Sequence, residues 1–110
     1  QVWLPTEIMT STRSNHTATL LPDGNVLLLG GFAYGIYLNS AEIFYSTSSI
    51  WRATAPLPVN EQRALHSATL LKNGKVLVVG GLNANPGVLT TAWLLNTADH
   101  PLRLRDSCSR

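Results

Sequence analysis

The sequence predicts an all-β fold built from a tandem repeat. Residues 13–31 and 63–81 are RSNHTATLLPDGNVLLLGG and RALHSATLLKNGKVLVVGG, and they are identical at 11 of 19 positions without a gap. Equivalent residues lie 50 positions apart, a period typical of arrays in which each repeat is one supersecondary unit. No stretch shows the sustained apolar spacing of an amphipathic helix. We therefore expect antiparallel sheets and no helix.

Each copy of the repeat begins with a hairpin. The predicted strands are 16–21 and 26–29 in the first copy and 66–71 and 76–79 in the second. Asp23-Gly24 and Asn73-Gly74 separate these strands. Asp-Gly and Asn-Gly between apolar runs favour a type I′ turn, in which both central residues have positive φ. A tight antiparallel hairpin is expected at the start of each copy.

The second strand of each hairpin is apolar at four consecutive positions, 26–29 and 76–79. Such a strand is expected to be buried on both faces, whereas a strand with one wet face alternates. Without helices to cover it, each sheet must pack against other sheets. Sheets stacked face to face around an axis form a propeller. The predicted fold is a partial β-propeller of about two four-stranded antiparallel blades plus a degenerate remnant.

Two further strands, 40–45 and 50–54, complete the first blade. In the second copy, 91–96 aligns with the third strand at an offset of 51, and the repeat degenerates from about Trp93. In that register Trp93, Asn96 and Leu102 stand where the first copy has Glu42, Tyr45 and Trp51. The predicted units are 1–12, the outer strand and link of a preceding blade, then the repeats 13–62 and 63–110.

The repeated residues resemble the kelch repeat, in which a glycine doublet ends an apolar strand and a tyrosine and a tryptophan follow. The residues that carry the resemblance are Gly30, Gly31, Gly80, Gly81, Tyr45 and Trp51. The Arg-x-x-His-x-Ala-x-Leu opening is similar to the variant in galactose-oxidase-like central domains and their non-enzymatic relatives. The resemblance covers about residues 2–96. It implies four-stranded blades with the hairpin innermost and the tryptophan strand outermost, in a ring of six or seven blades whose loops form a binding face.

Most repeated residues are interpreted as structural. The glycines end a strand where the backbone turns or approaches another segment closely, and Tyr45 and Trp51 are expected to pack between blades. His16 and His66 occupy the same place in separate blades, so they are expected to form structural hydrogen bonds and not to converge on a metal ion. Arg13 and Arg63 are expected to pair locally, with Glu42 as a candidate partner. No catalytic, cofactor-binding or metal-binding residue is predicted.

Composition excludes several classes of function. The formal net charge is +2 and no dense Lys/Arg stripe occurs, which disfavours nucleic-acid binding. No apolar run approaches the ~20 residues that a membrane-spanning helix needs. Cys108 is the single cysteine, so an intrachain disulfide is excluded. Asn15-His16-Thr17 fits an N-glycosylation sequon, and a chance occurrence is the favoured interpretation.

The favoured functional hypothesis is an interaction module without catalysis that binds a protein or a glycan through its blade loops. The candidate surface is loop 32–39, with Phe32, Tyr34 and Tyr37, together with its counterpart at 82–89. Aromatic side chains in loops on a rigid scaffold suit recognition.

Two alternatives stay open. In the first alternative, the chain is a fragment of a galactose-oxidase-like copper-radical oxidase. In the second, it is a truncated product without function. The oxidase needs tyrosine, histidine and cysteine groups that converge on copper, and no residue can be matched to such a ligand. The loss of the repeated Tyr and Trp in the second copy supports truncation. Because two blades leave apolar faces uncovered, we also expect the chain to associate, either into a multi-chain ring or, as the favoured outcome, into aggregates.

Overall fold

The computed structural model describes residues 2–85 and 87–97, and within them the chain is all-β. The strands are β1 (Thr17–Leu20), β2 (Val26–Leu29), β3 (Phe32–Ala33), β4 (Ile36–Tyr37), β5 (Ala41–Tyr45), β6 (Ile50–Thr54), β7 (Ser67–Leu70), β8 (Lys75–Val79) and β9 (Ala92–Asn96). In this part of the chain, no helix is long and apolar enough to cross a membrane. Leu102 and Cys108 lie outside the described residues, as does the end of the predicted second repeat.

Two antiparallel sheets and one short hairpin account for all these strands. The first sheet has the order β1-β2-β5-β6, the second sheet has the order β7-β8-β9, and β3 pairs with β4 alone. The all-β fold with antiparallel sheets predicted from the sequence is confirmed, and the arrangement of the sheets is consistent with a partial propeller. The seven strands predicted between residues 16 and 96 are all present, each displaced by at most one residue at either end. The sequence did not predict β3 and β4.

The turn type predicted for the two hairpins is wrong. Leu21 N donates to Asn25 O at 2.8 Å, and Gly24 N donates to Leu21 O at 3.0 Å, so the loop has three residues. Only Gly24 in the Asp23-Gly24 pair has positive φ, at +88°. This is a type I turn followed by a left-handed glycine, the usual three-residue hairpin loop. Asp23 Oδ1 accepts Asn25 N at 3.0 Å, and the second hairpin repeats the same bonds.

The core lies between the two sheets. Its buried strand members are Leu27, Leu29, Ala41 and Ile43 from the first sheet and Val76 and Val78 from the second. The forward face of the first sheet is the one that carries Leu27, Leu29, Ala41 and Ile43. The rear face of the second sheet is the one that carries Val76 and Val78. Partly buried side chains at the edge of the core are Tyr45, Leu57, Ala68, Leu70 and Leu95. The forward face of the first sheet therefore packs against the rear face of the second sheet.

The prediction that the second hairpin strand is buried on both faces holds for β2 but is wrong for β8. Leu27, Leu28 and Leu29 are all buried, whereas Val79 is 42% exposed. Leu77 and Val79 point to the forward face of the second sheet, and no described sheet covers that face. The second sheet covers one face of β2, and on its other face Leu28 lies beside Glu42, which bonds Thr10 and Ser11.

Residues 2–12 lie beside the first sheet and form no strand. Thr10 N and Ser11 N donate to the carboxylate of Glu42, and Trp51 Nε1 donates to Thr6 Oγ1 at 3.3 Å. Trp3 is fully exposed. The assignment of this segment to a preceding blade stays a prediction.

Candidate functional site

The β3–β4 hairpin forms one side of the candidate site. Tyr34 and Gly35 connect its strands with φ values of +51° and +77°, which is the type I′ geometry. The rings of Phe32 and Tyr37 pair across the strands edge to face, with centroids 4.9 Å apart. Tyr34, at the tip, is 88% exposed. The loop is therefore an ordered hairpin that presents one aromatic side chain to solvent.

The loop at 82–89 forms the other side. Leu82 makes isolated bridges to Ala64 and Val88, which fix both ends of the loop. Asn83 N donates to Gly87 O at 2.8 Å, and Gly87 N donates to Asn83 Oδ1 at 3.3 Å. Asn83 is only 7% exposed. This loop is also held by its own hydrogen bonds.

Both loops line one cleft of about 330 Å³, together with the linker that joins the two sheets. The lining residues are Gly35, Ile36, Tyr37, Asn60, Gln62, Asn83, Ala84 and Asn85. The predicted aromatic residues separate here: Tyr37 lines the cleft, whereas Phe32 and Tyr34 border a more open depression beside 12–14. The sequence pointed to both loops but not to Asn60 and Gln62, because their position depends on the path of the linker.

The cleft is polar and carries no charged side chain in its lining. Four carboxamides supply both donors and acceptors of hydrogen bonds. Tyr37 adds a ring and a hydroxyl group, and Ile36, which is 61% exposed, adds an apolar surface. Such a lining suits a neutral ligand that has hydroxyl or amide groups on one side and C–H groups on the other.

A buried arginine holds each sheet to the segment before it. Arg13 donates to Gly30 O at 2.7 Å, to Ser40 O and Oγ at 3.1 Å, and to Glu42 Oε2 at 3.1 Å. The side chains of Arg13 and Glu42 are fully buried. The local pairing predicted for Arg13 with Glu42 is present.

Arg63 makes the equivalent bonds with a different carboxylate. It donates to Gly80 O at 2.9 Å, to Thr91 O at 3.2 Å and to Thr91 Oγ1 at 2.9 Å. Its acid is Glu61 from the linker, at 2.5 Å, and Glu61 Oε1 also accepts Trp93 Nε1 at 2.7 Å. Arg63 lies next to Gln62 in the chain, so this ion pair positions the linker side of the cleft.

The charges of this pair are biased by their surroundings. Hydrogen bonds from Trp93 and Thr91, together with the Arg63 charge, lower the pKa of Glu61. Burial lowers the pKa of Arg63, and Glu61 opposes that shift. Glu61 is therefore a carboxylate at neutral pH, as the ion pair requires.

His66 lies between the two sheets and forms a structural hydrogen bond. Its Nε2 is 2.8 Å from Thr17 Oγ1 in the first sheet. Burial lowers the pKa of His66 to about 4, and the Arg63 charge acts in the same direction. Burial also lowers the pKa of His16. Among residues 2–85 and 87–97, no group of three or more His, Cys, Asp or Glu side chains is placed to hold a metal ion.

The remaining repeated residues divide between the two faces of the first sheet. Tyr45 packs against the core between the sheets. Trp51 lies on the opposite face, where its ring centroid is 4.9 Å from that of Phe44. A Cβ atom on Gly31 or Gly81 would lie 2.6 Å from a carbonyl oxygen of the neighbouring segment, so the second glycine of each doublet permits a close backbone approach.

No family model matches the chain, and no curated protein matches it. The kelch resemblance therefore stays a prediction that rests on the repeated residues of this sequence.

Proposed function

We propose that the chain is a kelch-type propeller segment that acts as a binding module and takes a neutral carbohydrate chain in the cleft between its loops. The observation that carries the proposal is the lining of the cleft: four carboxamides beside Tyr37 and Ile36, with no charged side chain. Sugar rings present hydroxyl groups at their edges and C–H groups on their faces, so amides and an aromatic or aliphatic surface match both.

The surroundings of the cleft support preorganised binding. Phe32 packs against Tyr37, Asn83 is bonded to Gly87, and the Arg63–Glu61 ion pair fixes the linker. Loops that are already ordered lose little conformational entropy when a ligand binds. The volume of about 330 Å³ is at the small end of the ~300–1,000 Å³ range of ligand sites. We expect one short unit of a longer chain to occupy it.

The experiment titrates the protein with a panel of neutral oligosaccharides by calorimetry, with an acidic oligosaccharide as the charged comparison. Tyr37→Ala should abolish binding, whereas Tyr37→Phe should retain most of it because the ring remains. Asn85→Asp should weaken affinity by about 3- to 10-fold, the effect of about 0.5–1.5 kcal/mol for one lost hydrogen bond.

The matched control is Asn73→Asp. It makes the same chemical change in a hairpin turn outside the cleft, and its Oδ1 can still accept Lys75 N. The proposal is contradicted if no neutral oligosaccharide binds at millimolar concentration, or if Asn85→Asp and Asn73→Asp have equal effects.

Protein binding is a second candidate, favoured by the exposed hairpin tip. Tyr34 is 88% exposed but does not line the cleft. A protein partner that covers the loops would contact Tyr34, whereas a sugar unit inside the cleft would not. Tyr34→Ala should therefore leave oligosaccharide binding unchanged and weaken binding only to a protein. The oxidase alternative has a separate test, the stoichiometric uptake of copper by the chain.

A further inference from the structure

The interface between the two sheets joins unlike faces. Among the described residues, no sheet covers the forward face of the second sheet, and the rear face of the first sheet is only partly covered. Leu27, Leu29 and Ile43 of the first sheet's forward face have the second-sheet equivalents Leu77, Val79 and Leu94 at offsets of 50 and 51. Val79 and Leu94 are 42% and 56% exposed. The second sheet thus presents, uncovered, the same type of apolar face that the first sheet buries.

The complementary rear face of the first sheet is exposed along β1, whereas Leu28 on β2 is already buried. Leu70, Val76 and Val78 of the second sheet's rear face have the first-sheet equivalents Leu20, Val26 and Leu28. Leu20 is 63% exposed. The chain therefore carries equivalents of both faces of its internal interface on opposite ends, and of the rear-face equivalents the exposed one is Leu20.

The polar contacts of the internal interface also have unused equivalents. His66 Nε2 lies 2.8 Å from Thr17 Oγ1, and the equivalent pair is His16 with Ser67. Ser67 is exposed on β7. The Ser67 hydroxyl group is therefore available to bond a histidine placed relative to Ser67 as His66 is placed relative to Thr17.

The first glycine of each doublet gives independent evidence that the space beside the second sheet is unfilled. Gly30 and Gly80 have nearly the same φ, +67° and +65°. A Cβ on Gly30 would lie 2.6 Å from Arg63 O and 2.8 Å from His66 Cε1, whereas a Cβ on Gly80 would meet no described atom closer than 3.7 Å. The space that His66 fills beside Gly30 is thus present and unfilled beside Gly80.

We propose that a second copy of this chain docks its first sheet on the open forward face of the second sheet, head to tail. In this arrangement His16 of the second copy bonds Ser67 and packs beside Gly80, while Leu20 packs on the forward face that carries Leu77 and Val79. A head-to-tail interface generates a closed ring if its rotation closes. Propellers contain about 4–8 blades, so a closed ring contains two to four copies. The inference does not depend on the ligand proposed above.

Light scattering coupled to size exclusion at 100 µM tests the assembly. The expected species has two to four times the chain mass of 11.9 kDa. Leu20→Asp and Val79→Asp should each give a monomer, because each places a charge on one of the two docking faces. Val59→Asp is the matched control, since Val59 is 78% exposed in the linker, and it should leave the assembly intact.

Mixing the two monomeric variants gives the sharpest result. Each keeps one intact face, and in a head-to-tail arrangement these two faces are complementary. An equimolar mixture should therefore form a dimer of one Leu20→Asp and one Val79→Asp chain that grows no further. Circular dichroism of each variant checks that the sheets are retained, and Leu20→Ser with Val79→Ser replaces the pair if an aspartate variant is unfolded.

Three results would overturn the proposal. One is a monomeric unmodified chain at 100 µM. The second is a like-to-like dimer of either variant, because that requires an isologous interface. The third is a mixture that stays monomeric, or that forms aggregates of undefined size.

Discussion

The first and second sheets begin with the same repeated segment, yet they hold their buried arginine with different acids. In the first sheet, Glu42 on β5 pairs with Arg13. In the second sheet the equivalent position is Trp93, and Glu61 from the linker pairs with Arg63 and accepts the indole N–H of Trp93. In both sheets a carboxylate accepts a hydrogen bond from Nη2 of the buried arginine, and it comes from a strand in the first sheet and from the linker in the second.

Removal of Glu42 should give the largest effect and the sharpest contrast. Glu42→Ala leaves Arg13 buried without its ion pair and removes the acceptor of Thr10 N and Ser11 N. Loss of one partner of a buried pair costs about 3–5 kcal/mol. The free energy of unfolding, from urea titration, should fall by that amount, whereas Glu7→Ala at an exposed site should leave it unchanged.

The matching change in the second sheet is Glu61→Ala, and its effect should be smaller. Glu61 keeps 19% of its side chain exposed, so water can approach the guanidinium that it leaves. An equal or larger loss for Glu61→Ala would show that the two ion pairs are energetically alike, against the comparison drawn here.

The first glycines of the doublets should differ next. Alanine at either Gly30 or Gly80 carries the strain of a left-handed backbone, about 1–2 kcal/mol. At Gly30 the new methyl group also overlaps Arg63 O and His66, and overpacking adds roughly 1–3 kcal/mol. In the Val79→Asp background, which keeps the open face unoccupied, Gly30→Ala should lower the midpoint of urea unfolding clearly more than Gly80→Ala. Equal midpoints would contradict the crowding at Gly30.

His66 should make the contact between the sheets sensitive to acid. The unfolded chain takes up a proton on this histidine near pH 6.5, and the folded chain takes it up near pH 4. The unfolded state therefore binds more protons between these values, and the free energy of unfolding falls as the pH drops through this window, by about 2–3 kcal/mol in total. Unfolding titrations from pH 7 to pH 4 measure this, and His66→Gln should lose most of the dependence.

The smallest expected effect is a rescue that tests the equivalence of Glu42 and Trp93. Glu61→Ser restores the linker residue that the first copy has at Ser11, and Trp93→Glu restores the strand acid. The double variant should be more stable than the sum of the two single changes predicts, by about 1 kcal/mol in a double-mutant cycle. Strict additivity would show that a carboxylate at position 93 cannot reach Arg63.

The strands were predictable because apolar runs and glycines mark them locally. β2 and β6 have the predicted bounds, and the predicted pairing of Arg13 with Glu42 is present. The hairpin turn was assigned wrongly because Asp23-Gly24 is compatible with both a two-residue and a three-residue loop. Only the register of the flanking strands distinguishes these loops.

Other features depend on distant parts of the chain. The β3–β4 hairpin has two residues in each strand, too few for a periodic pattern. Glu61 could not be identified as the partner of Arg63 because alignment pointed to position 93, where a tryptophan stands. The cleft brings Tyr37, Asn60 and Asn85 together from three segments whose relative positions no local pattern encodes.

Backbone hydrogen bonds join the two sheets at points that no side-chain substitution removes. Gly31 N donates to Arg63 O at 2.8 Å, and Leu65 N donates to Asn15 O at 3.0 Å. Each bond has its donor in one repeat and its acceptor in the other, so neither sheet can open alone without losing them. We therefore expect the two sheets to unfold as one cooperative unit, and the amide protons of Gly31 and Leu65 to exchange with solvent mainly when the sheets separate.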